Sequence, residues 1–149
     1  MKLFRCGTLK LREKIMKTLN DKLESLQNEL ESKQNELSEA EGVLQDMKDD
    51  PSSYFEDEMK TDYDNMLDEI YEDQFDNFPF PLGMPSTWIE ENQPTDYRVG
   101  FADHEFDPSH CSDYIDQESL IEQLENEISG IEDEIEELEQ EIEEYEDEN

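Results

Sequence analysis

Residues 121–145 read IEQLENEISGIEDEIEELEQEIEEY, and they carry the clearest structural signal in the chain. An isoleucine recurs every seven residues, and another apolar residue follows each one by three, which is the heptad pattern of a helix packed along one face. Half of residues 120–149 are Asp or Glu and none is Lys or Arg, a composition that disordered acidic tails share. Four heptads in one frame favour the helix. The a positions are Ile121, Ile128, Ile135 and Ile142, and the d positions are Leu124, Ile131, Leu138 and Tyr145.

A second heptad repeat precedes it in residues 9–47. Arg12 and Lys33 interrupt its d positions, and Asn20-Asp21 followed by Glu24 has the form of a capping box that would divide the helix. The sequence Asp49-Asp50-Pro51 predicts its end. The a positions are Leu9, Met16, Leu23, Leu30, Leu37 and Leu44, and the d positions include Leu19, Leu26, Ala40 and Met47.

The two repeats are expected to pair with each other rather than with second copies of themselves. A parallel homodimer would place two wholly acidic helices side by side, whereas folding back brings Glu134–Glu148 against the basic segment Lys10–Lys22. The predicted register pairs Leu23 with Ile131 and Leu9 with Tyr145, although a slip of one heptad would keep the apolar pattern. The predicted core includes Leu19, Leu23, Leu26, Leu30 and Leu124.

The middle of the chain differs in composition, because twelve of the fourteen aromatic residues lie between Tyr54 and Tyr114. A helix is predicted from Ser53, a proline-rich non-helical stretch follows over 78–85, and Ser86 is the predicted N-cap of a short helix that ends at Gln93-Pro94. The apolar face of the first of these helices is Phe55, Met59, Tyr63, Met66, Leu67, Ile70 and Tyr71.

These segments predict a mainly α fold. Residues 1–48 form an N-terminal coiled-coil helix with a basic start, residues 49–113 an acidic aromatic-rich domain, and residues 114–149 an acidic C-terminal coiled-coil helix. The two long helices form an antiparallel coiled-coil hairpin, with the small helical and irregular domain at its tip.

Charge is distributed unevenly along the chain. Its 45 acidic and 11 basic residues give a net charge of −34, while residues 1–48 carry nine of each sign and the first 22 residues are net basic. All of the negative excess therefore lies in residues 49–149. With 33% hydrophobic residues, an extended helical architecture is expected rather than a large globular core.

The setting expected from the sequence is a cytosol. Lysine and arginine interrupt the first apolar residues, so no signal peptide is predicted, and no stretch approaches the ~20 apolar residues of a membrane span. Cys6 and Cys111 are too few for a disulfide framework and are expected to be reduced thiols.

Residues 62–106 resemble a family of small proteins of tailed bacteriophages. The resemblance rests on Tyr63-Asp-x-x-Leu67-Asp-Glu-x-Tyr71, on Ser86 and Pro94, and on Tyr97-Arg98-x-Gly100-Phe101-x-Asp103. Gln93 stands where the family usually has Asp, and the long helices lie outside the match. The resemblance implies a phage or prophage origin and action inside a bacterium, and it brings no activity with it.

No motif in the chain points to catalysis or to a cofactor. His104, His110 and Cys111 are zinc-ligand types without the paired spacing of a zinc site, so an ordinary polar loop is expected there. The chain has no glycine-rich phosphate loop and no nucleophile elbow, which predicts that it is not an enzyme. Arg98, surrounded by carboxylates in the sequence, is expected to pair with Asp96 or Asp103.

The charge itself suggests the function. Residues 120–149 carry fifteen carboxylates, about one per 3 Å of helix, close to the spacing of about 3.4 Å on one DNA strand. We therefore predict a phage-encoded nucleic-acid mimic that inhibits a basic, nucleic-acid-binding host enzyme of a defence system and acts as a monomer or small homo-oligomer. The predicted electrostatic contacts are Glu132, Asp133, Glu134, Glu136, Glu137, Glu139, Glu141, Glu143, Glu144, Asp68, Glu69, Glu72 and Asp73. Trp88, Phe78 and Phe80 are candidates for a hydrophobic contact, although core packing against the Tyr63–Tyr71 helix is the favoured alternative for them.

Other functions fit the same composition. The acidic helices could keep a coiled-coil spacer soluble, or the chain could be an assembly or adaptor protein that oligomerises and clasps a basic partner. A regulatory role, in which residues 2–22 contact nucleic acid while the acidic part recruits another protein, is a further possibility.

Overall fold

A computed structural model of the protein describes residues 2–147, with side chains from residue 9 onward. Glu148 and the Cys6 side chain, both named above, lie outside this description. The described residues form helices and no strand, which confirms the mainly α prediction. The helices are α1 (Lys2–Asp49), α2 (Ser52–Ile70), α3 (Glu72–Asp76), α4 (Pro85–Asn92), α5 (Pro94–Asp103) and α6 (Ser112–Asp147), with a 3-10 turn at Pro108–His110.

The chain is organised into two compact units. Unit 1 contains the residues up to Val43 together with those from Gln117 onward, so the two heptad segments belong to it except for Leu44 and Met47. Unit 2 spans Leu44–Asp116 and contains the aromatic-rich segment.

In unit 1, α1 packs against α6 in an antiparallel arrangement. The predicted heptad positions are the covered ones: from Arg12 to Ala40 in α1 and from Ile121 to Tyr145 in α6, each a and d residue is buried or half-buried. The sequence pattern therefore correctly identified the face that each helix buries. The fully buried members are Leu19, Ala40, Leu124, Ile128, Ile131 and Leu138.

Between the described residues of the two helices, the polar contacts include two hydrogen bonds and a salt bridge. Arg12 Nη2 donates to the Tyr145 carbonyl oxygen at 2.7 Å, and Gln117 Nε2 donates to the Ala40 carbonyl oxygen at 3.0 Å. Lys33 Nζ lies 3.0 Å from Glu127 Oε2. All three are displaced in the same direction from the predicted register.

Cavities between the two helices favour the alternative register, slipped by one heptad, in which Leu37 rather than Leu30 lies opposite Leu124. Met16 and Tyr145 line one such cavity, and Leu26 and Leu138 line another. The predicted register would cover Leu9 with Tyr145, yet Leu9 is 56% exposed. The slipped register leaves Leu9 without a partner among the described residues of α6. The predicted register is therefore wrong, because apolar spacing alone repeats every heptad and cannot choose between slips.

The predicted break near Asn20 is also wrong, since α1 is a single helix from Lys2 to Asp49. Asn20, Asp21 and Glu24 are exposed on the helix. Asn and Asp in an exposed helix interior cost only tenths of a kcal/mol, and the apolar face that continues on both sides outweighs this preference. The predicted end before Pro51 is confirmed.

The core of unit 2 is built from tyrosines. Tyr63 and Leu67 on α2 pack with Tyr97 on α5, and all three are buried. At the start of α2, Phe55 is fully buried and has non-helical dihedral angles (φ −130°, ψ 31°), so the helix kinks where this ring enters the interior. The predicted apolar face of α2 is covered except for Ile70, which is exposed.

The start of α4 differs from the prediction. Ser86 is buried inside the helix instead of capping it, and its backbone N–H is satisfied by Asp68 Oδ1 of α2 at 2.8 Å. A carboxylate from another helix thus serves as the cap, which local sequence cannot reveal. α5, which begins at Pro94, was not predicted as a helix.

Candidate interaction surfaces

The predicted acidic contacts on α6 form one exposed surface. The core positions Ile131, Ile135, Leu138 and Ile142 face inward, and the nine carboxylates between Glu132 and Glu144 are all exposed. We call these nine residues the α6 acidic surface. None of them lies within 4 Å of a basic group among the described side chains.

These carboxylates are dense along the helix axis. Nine of the thirteen residues from Glu132 to Glu144 are acidic, and a rise of ~1.5 Å per residue gives about one charge per 2 Å. B-form DNA presents one charge per ~1.7 Å when both strands are counted. The helix therefore carries a linear charge density close to that of duplex DNA.

Among the described side chains, no salt bridge joins Lys10–Lys22 to α6, where the sequence predicted charge attraction. Arg12 contacts α6 through the Tyr145 carbonyl and through the Tyr145 ring, whose centroid lies 5.1 Å from the guanidinium carbon. The described salt bridge between the helices is Lys33–Glu127 instead. The Lys33 ammonium lowers the pKa of Glu127, and Glu127 in turn raises the pKa of Lys33.

The acidic candidates in unit 2 are of two kinds. Asp68 is half-buried and caps α4, whereas Glu69, Glu72 and Asp73 are exposed and have no basic partner among the described side chains. Asp68 is thus held in the fold, and the other three are free to meet a partner.

The hydrophobic candidates separate in the same way. Trp88 is half-buried and packs edge to face on Phe75, with ring centroids 5.9 Å apart. Phe78 and Phe80 form an edge-to-face pair at 4.8 Å and remain 44% and 60% exposed. The phenylalanine pair, rather than Trp88, presents apolar surface to solvent.

Sequence reasoning missed a polar network centred on Lys60. Its Nζ lies 2.9 Å from Asp64 Oδ2, 3.1 Å from Glu90 Oε2 and 3.1 Å from Tyr97 Oη, and Tyr97 Oη donates to Asp64 Oδ1 at 2.6 Å. Burial and the hydrogen bond to Asp64 raise the pKa of Tyr97 to about 12. The network links α2, α4 and α5, and its only sequence signal was an isolated lysine in a strongly acidic region.

Arg98 does not make the predicted ion pair. It is exposed on α5, and no carboxylate of the described residues lies within 4 Å of it. Asp96 and Asp103 project from the same helix without contacting it. The structural role expected of Arg98 is taken by Lys60.

The histidine and cysteine candidates occupy separate environments. His104 Nε2 contacts Asp62 Oδ2 at 2.8 Å, and its ring packs against Tyr63, while His110 is exposed. Burial raises the pKa of the Cys111 thiol, and Glu58 and nearby aspartates raise it further. Among the described residues, no three His, Cys, Asp or Glu side chains are arranged to hold a metal ion.

Several residues of the pattern that resembles phage proteins lie in the interior of unit 2, whereas Glu69, Pro94, Arg98 and Asp103 are exposed. Tyr63, Leu67 and Tyr97 are its buried core, and Phe101 packs against them. A Cβ added at Gly100 would collide with Tyr63 Oη. The motif therefore describes how unit 2 packs rather than a reactive site.

Comparison of the chain with protein-family models, with curated proteins and with solved structures gives no match. Within residues 2–147, no helix combines the length and the apolar content needed to cross a bilayer.

Proposed function

We propose that this protein is a non-enzymatic, phage-encoded inhibitor whose α6 acidic surface imitates nucleic-acid phosphates. It would occupy the basic groove of a host nucleic-acid-binding enzyme, of the restriction or RNA-guided nuclease type. In this proposal α1 and α6 form a coiled coil that holds the carboxylates in a rigid line. One observation carries the proposal: nine exposed carboxylates without basic partners, spaced along one helix at about one per 2 Å.

Physical chemistry supports this use of the surface. Like charges this close repel one another, and a basic groove relieves the repulsion while it draws the protein in by long-range attraction. Because the carboxylates are already ordered on a helix, binding needs little further ordering of the backbone.

The test is competition between this protein and nucleic acid for one enzyme. Binding to a restriction endonuclease and to an RNA-guided nuclease is measured at low and at physiological salt, with and without duplex DNA. We expect affinity to fall steeply with salt and duplex DNA to displace the protein. Binding that is indifferent to both would contradict the mimic.

Matched variants locate the charge. Changing Glu132, Glu136 and Glu139 to Gln should weaken binding by about tenfold or more, because fully engaged charge pairs each contribute ~1 kcal/mol or more. The control changes Glu24, Glu29 and Glu31, which are exposed on α1, to Gln. An equal loss of affinity in both variants would mean that binding depends on the net charge of the protein rather than on the α6 acidic surface.

A coiled-coil assembly or adaptor protein is the second candidate. The exposure of Leu9, Leu11 and Ile15 at the basic end of α1 favours it, because apolar side chains there are free to contact another chain. Light scattering coupled to size-exclusion chromatography separates the two functions. A defined larger oligomer supports assembly, and a monomer or small dimer supports the mimic.

A further inference from the structure

Unit 2 contains an acidic groove that the α6 acidic surface does not include. Phe75 and Met84 contribute apolar surface to it, and Glu69, Glu72 and Asp76 bring carboxylates to its edge. Its volume of about 340 Å³ lies at the small end of ligand sites, which span ~300–1,000 Å³. The groove is therefore large enough for one or two side chains but not for a large cofactor.

The connection between α3 and α4 adds exposed apolar residues. Met84, which lines the groove, is 58% exposed, and the Phe78–Phe80 pair precedes it on the same connection. Gly83 has a φ of +83°, a conformation that L-residues with side chains rarely adopt, so the chain turns sharply just before Met84. Apolar side chains held outward in this way favour contact with a partner.

The groove lacks a cation of its own. Glu69, Glu72 and Asp76 have no basic partner among the described side chains. Lys60 is already bound to Asp64 and Glu90. None of the described cations therefore neutralises these three carboxylates.

We infer that the groove binds an arginine or lysine side chain from an amphipathic helix of the partner protein. Long cationic side chains lay their methylene stems along apolar surface and keep the charged head among carboxylates, which matches Phe75 and Met84 beside Glu69 and Glu72. The apolar residues of the same helix pack on Phe78 and Phe80. The inference rests on the proposed function for the basic character of the partner, but it uses residues of unit 2 alone.

The chain carries a built-in reporter for this test. Trp88 is its single tryptophan and packs on Phe75, which lines the groove. The probe is a synthetic amphipathic helical peptide with arginine and leucine at helical spacing in an alanine background. One control peptide replaces arginine with citrulline, and the other replaces leucine with glutamine.

We expect the parent peptide to change Trp88 emission saturably and each control to bind at least about tenfold more weakly. Equal binding of the glutamine control would overturn the inference, because it would leave only diffuse charge attraction. An unchanged emission with all three peptides, together with no binding by calorimetry, would also overturn it.

Variants of the full chain identify the residues that the peptide contacts. Phe78→Ser with Phe80→Ser, and separately Glu69→Gln with Glu72→Gln, should each weaken peptide binding by about tenfold, with helicity by circular dichroism unchanged. The matched control, Glu24→Gln with Glu29→Gln on the exposed side of α1, should leave it unchanged. Equal loss in the control would overturn the inference.

A second copy of the chain is the competing occupant, through its own basic segment Lys10–Lys17. Analytical ultracentrifugation measures self-association of the wild type and of the Phe78→Ser variant. Self-association that the variant abolishes would overturn the inference and assign the groove to a second copy. The two proposals fail separately. If neutralising the α6 acidic surface abolishes enzyme inhibition while the peptide does not bind, only the groove proposal fails. If the peptide binds while neutralising the α6 acidic surface leaves inhibition unchanged, only the nucleic-acid mimic proposal fails.

Discussion

Tyr63 lies at the centre of unit 2, and its contacts join residues that are far apart in the sequence. Its ring packs edge to face on Tyr97 at 5.1 Å and on Phe101 at 5.6 Å. Its hydroxyl lies so near Gly100 that no side chain fits there. At this scale the sequence motif encodes packing.

Replacing Gly100 with alanine should destabilise unit 2 by about 1–3 kcal/mol, because the buried Tyr63 ring must move to admit a Cβ. Chemical denaturation followed by circular dichroism measures the change. Gly130→Ala is the matched control, since nothing lies within 4 Å of its Cβ position on α6. There, alanine should stabilise by about 0.5–1 kcal/mol.

The double variant Gly100→Ala with Tyr63→Phe refines this prediction. Removing the hydroxyl relieves the closest contact, so the double variant should be less destabilised than the sum of its single changes. Strict additivity would mean that Tyr63 Oη does not set the requirement for glycine.

The Tyr97 hydroxyl gives unit 2 a predictable alkaline weakness. Burial raises its pKa in the folded state to about 12, against ~10 in the unfolded chain. The folded state therefore holds this proton more tightly. Its contribution is complete below about pH 10 and is lost as the pH rises towards 12, on the order of 2 kcal/mol.

Unfolding experiments across this pH range should show a steeper loss of stability for the wild type than for Tyr97→Phe. The comparison separates Tyr97 from Tyr63, which is present in both proteins, and it includes the part of the raised Lys60 pKa that comes from the Tyr97 hydroxyl. Identical pH profiles would contradict the role assigned to Tyr97.

At the scale of elements, three helices depend on contacts distant in sequence. α4 begins at Pro85, and the N–H of its second residue, Ser86, is bound by Asp68, so it is positioned by α2 as well as by its own residues. α1 and α6 each have a clear apolar stripe, but their relative register is set by specific contacts such as Lys33–Glu127.

Disulfide crosslinking should confirm the slipped register. With Cys6 and Cys111 replaced by Ser, the pair Leu37→Cys and Leu124→Cys should oxidise readily, because the two positions lie opposite each other. Leu30→Cys with Leu124→Cys is the matched pair and should remain reduced. Mass spectrometry of the oxidised proteins distinguishes the two results, and the opposite pattern would restore the register predicted from sequence.

At the scale of the whole molecule, charge dominates. Most of the acidic residues have no basic partner among the described residues, and the few ion pairs, such as Lys60–Asp64 and Lys33–Glu127, do not offset a net charge of −34. Self-repulsion should therefore be a real cost to the folded state at low salt.

Added salt should raise the melting temperature, by about 5 °C between ~20 mM and ~500 mM NaCl, because it screens this repulsion. Differential scanning calorimetry measures the shift. A variant with Glu132, Glu136, Glu139 and Glu143 changed to Gln should melt higher at low salt and respond less to salt. A melting temperature that falls with salt would mean that attractive ion pairs outweigh the repulsion.

Residue spacing alone predicted the helical class, the buried faces of α1 and α6 and the exposed acidic face. Backbone chemistry predicted where helices end, because proline at positions 51 and 94 cannot continue a helix. The tertiary structure decided the register, since apolar heptads repeat and several slips bury the same residues. It also assigned Asp68 as the α4 cap, placed Lys60 rather than Arg98 in the central network, and assembled the acidic groove from two separate segments. Those features depend on tertiary contacts between residues that are distant in sequence, and a single sequence carries no local signal for such contacts.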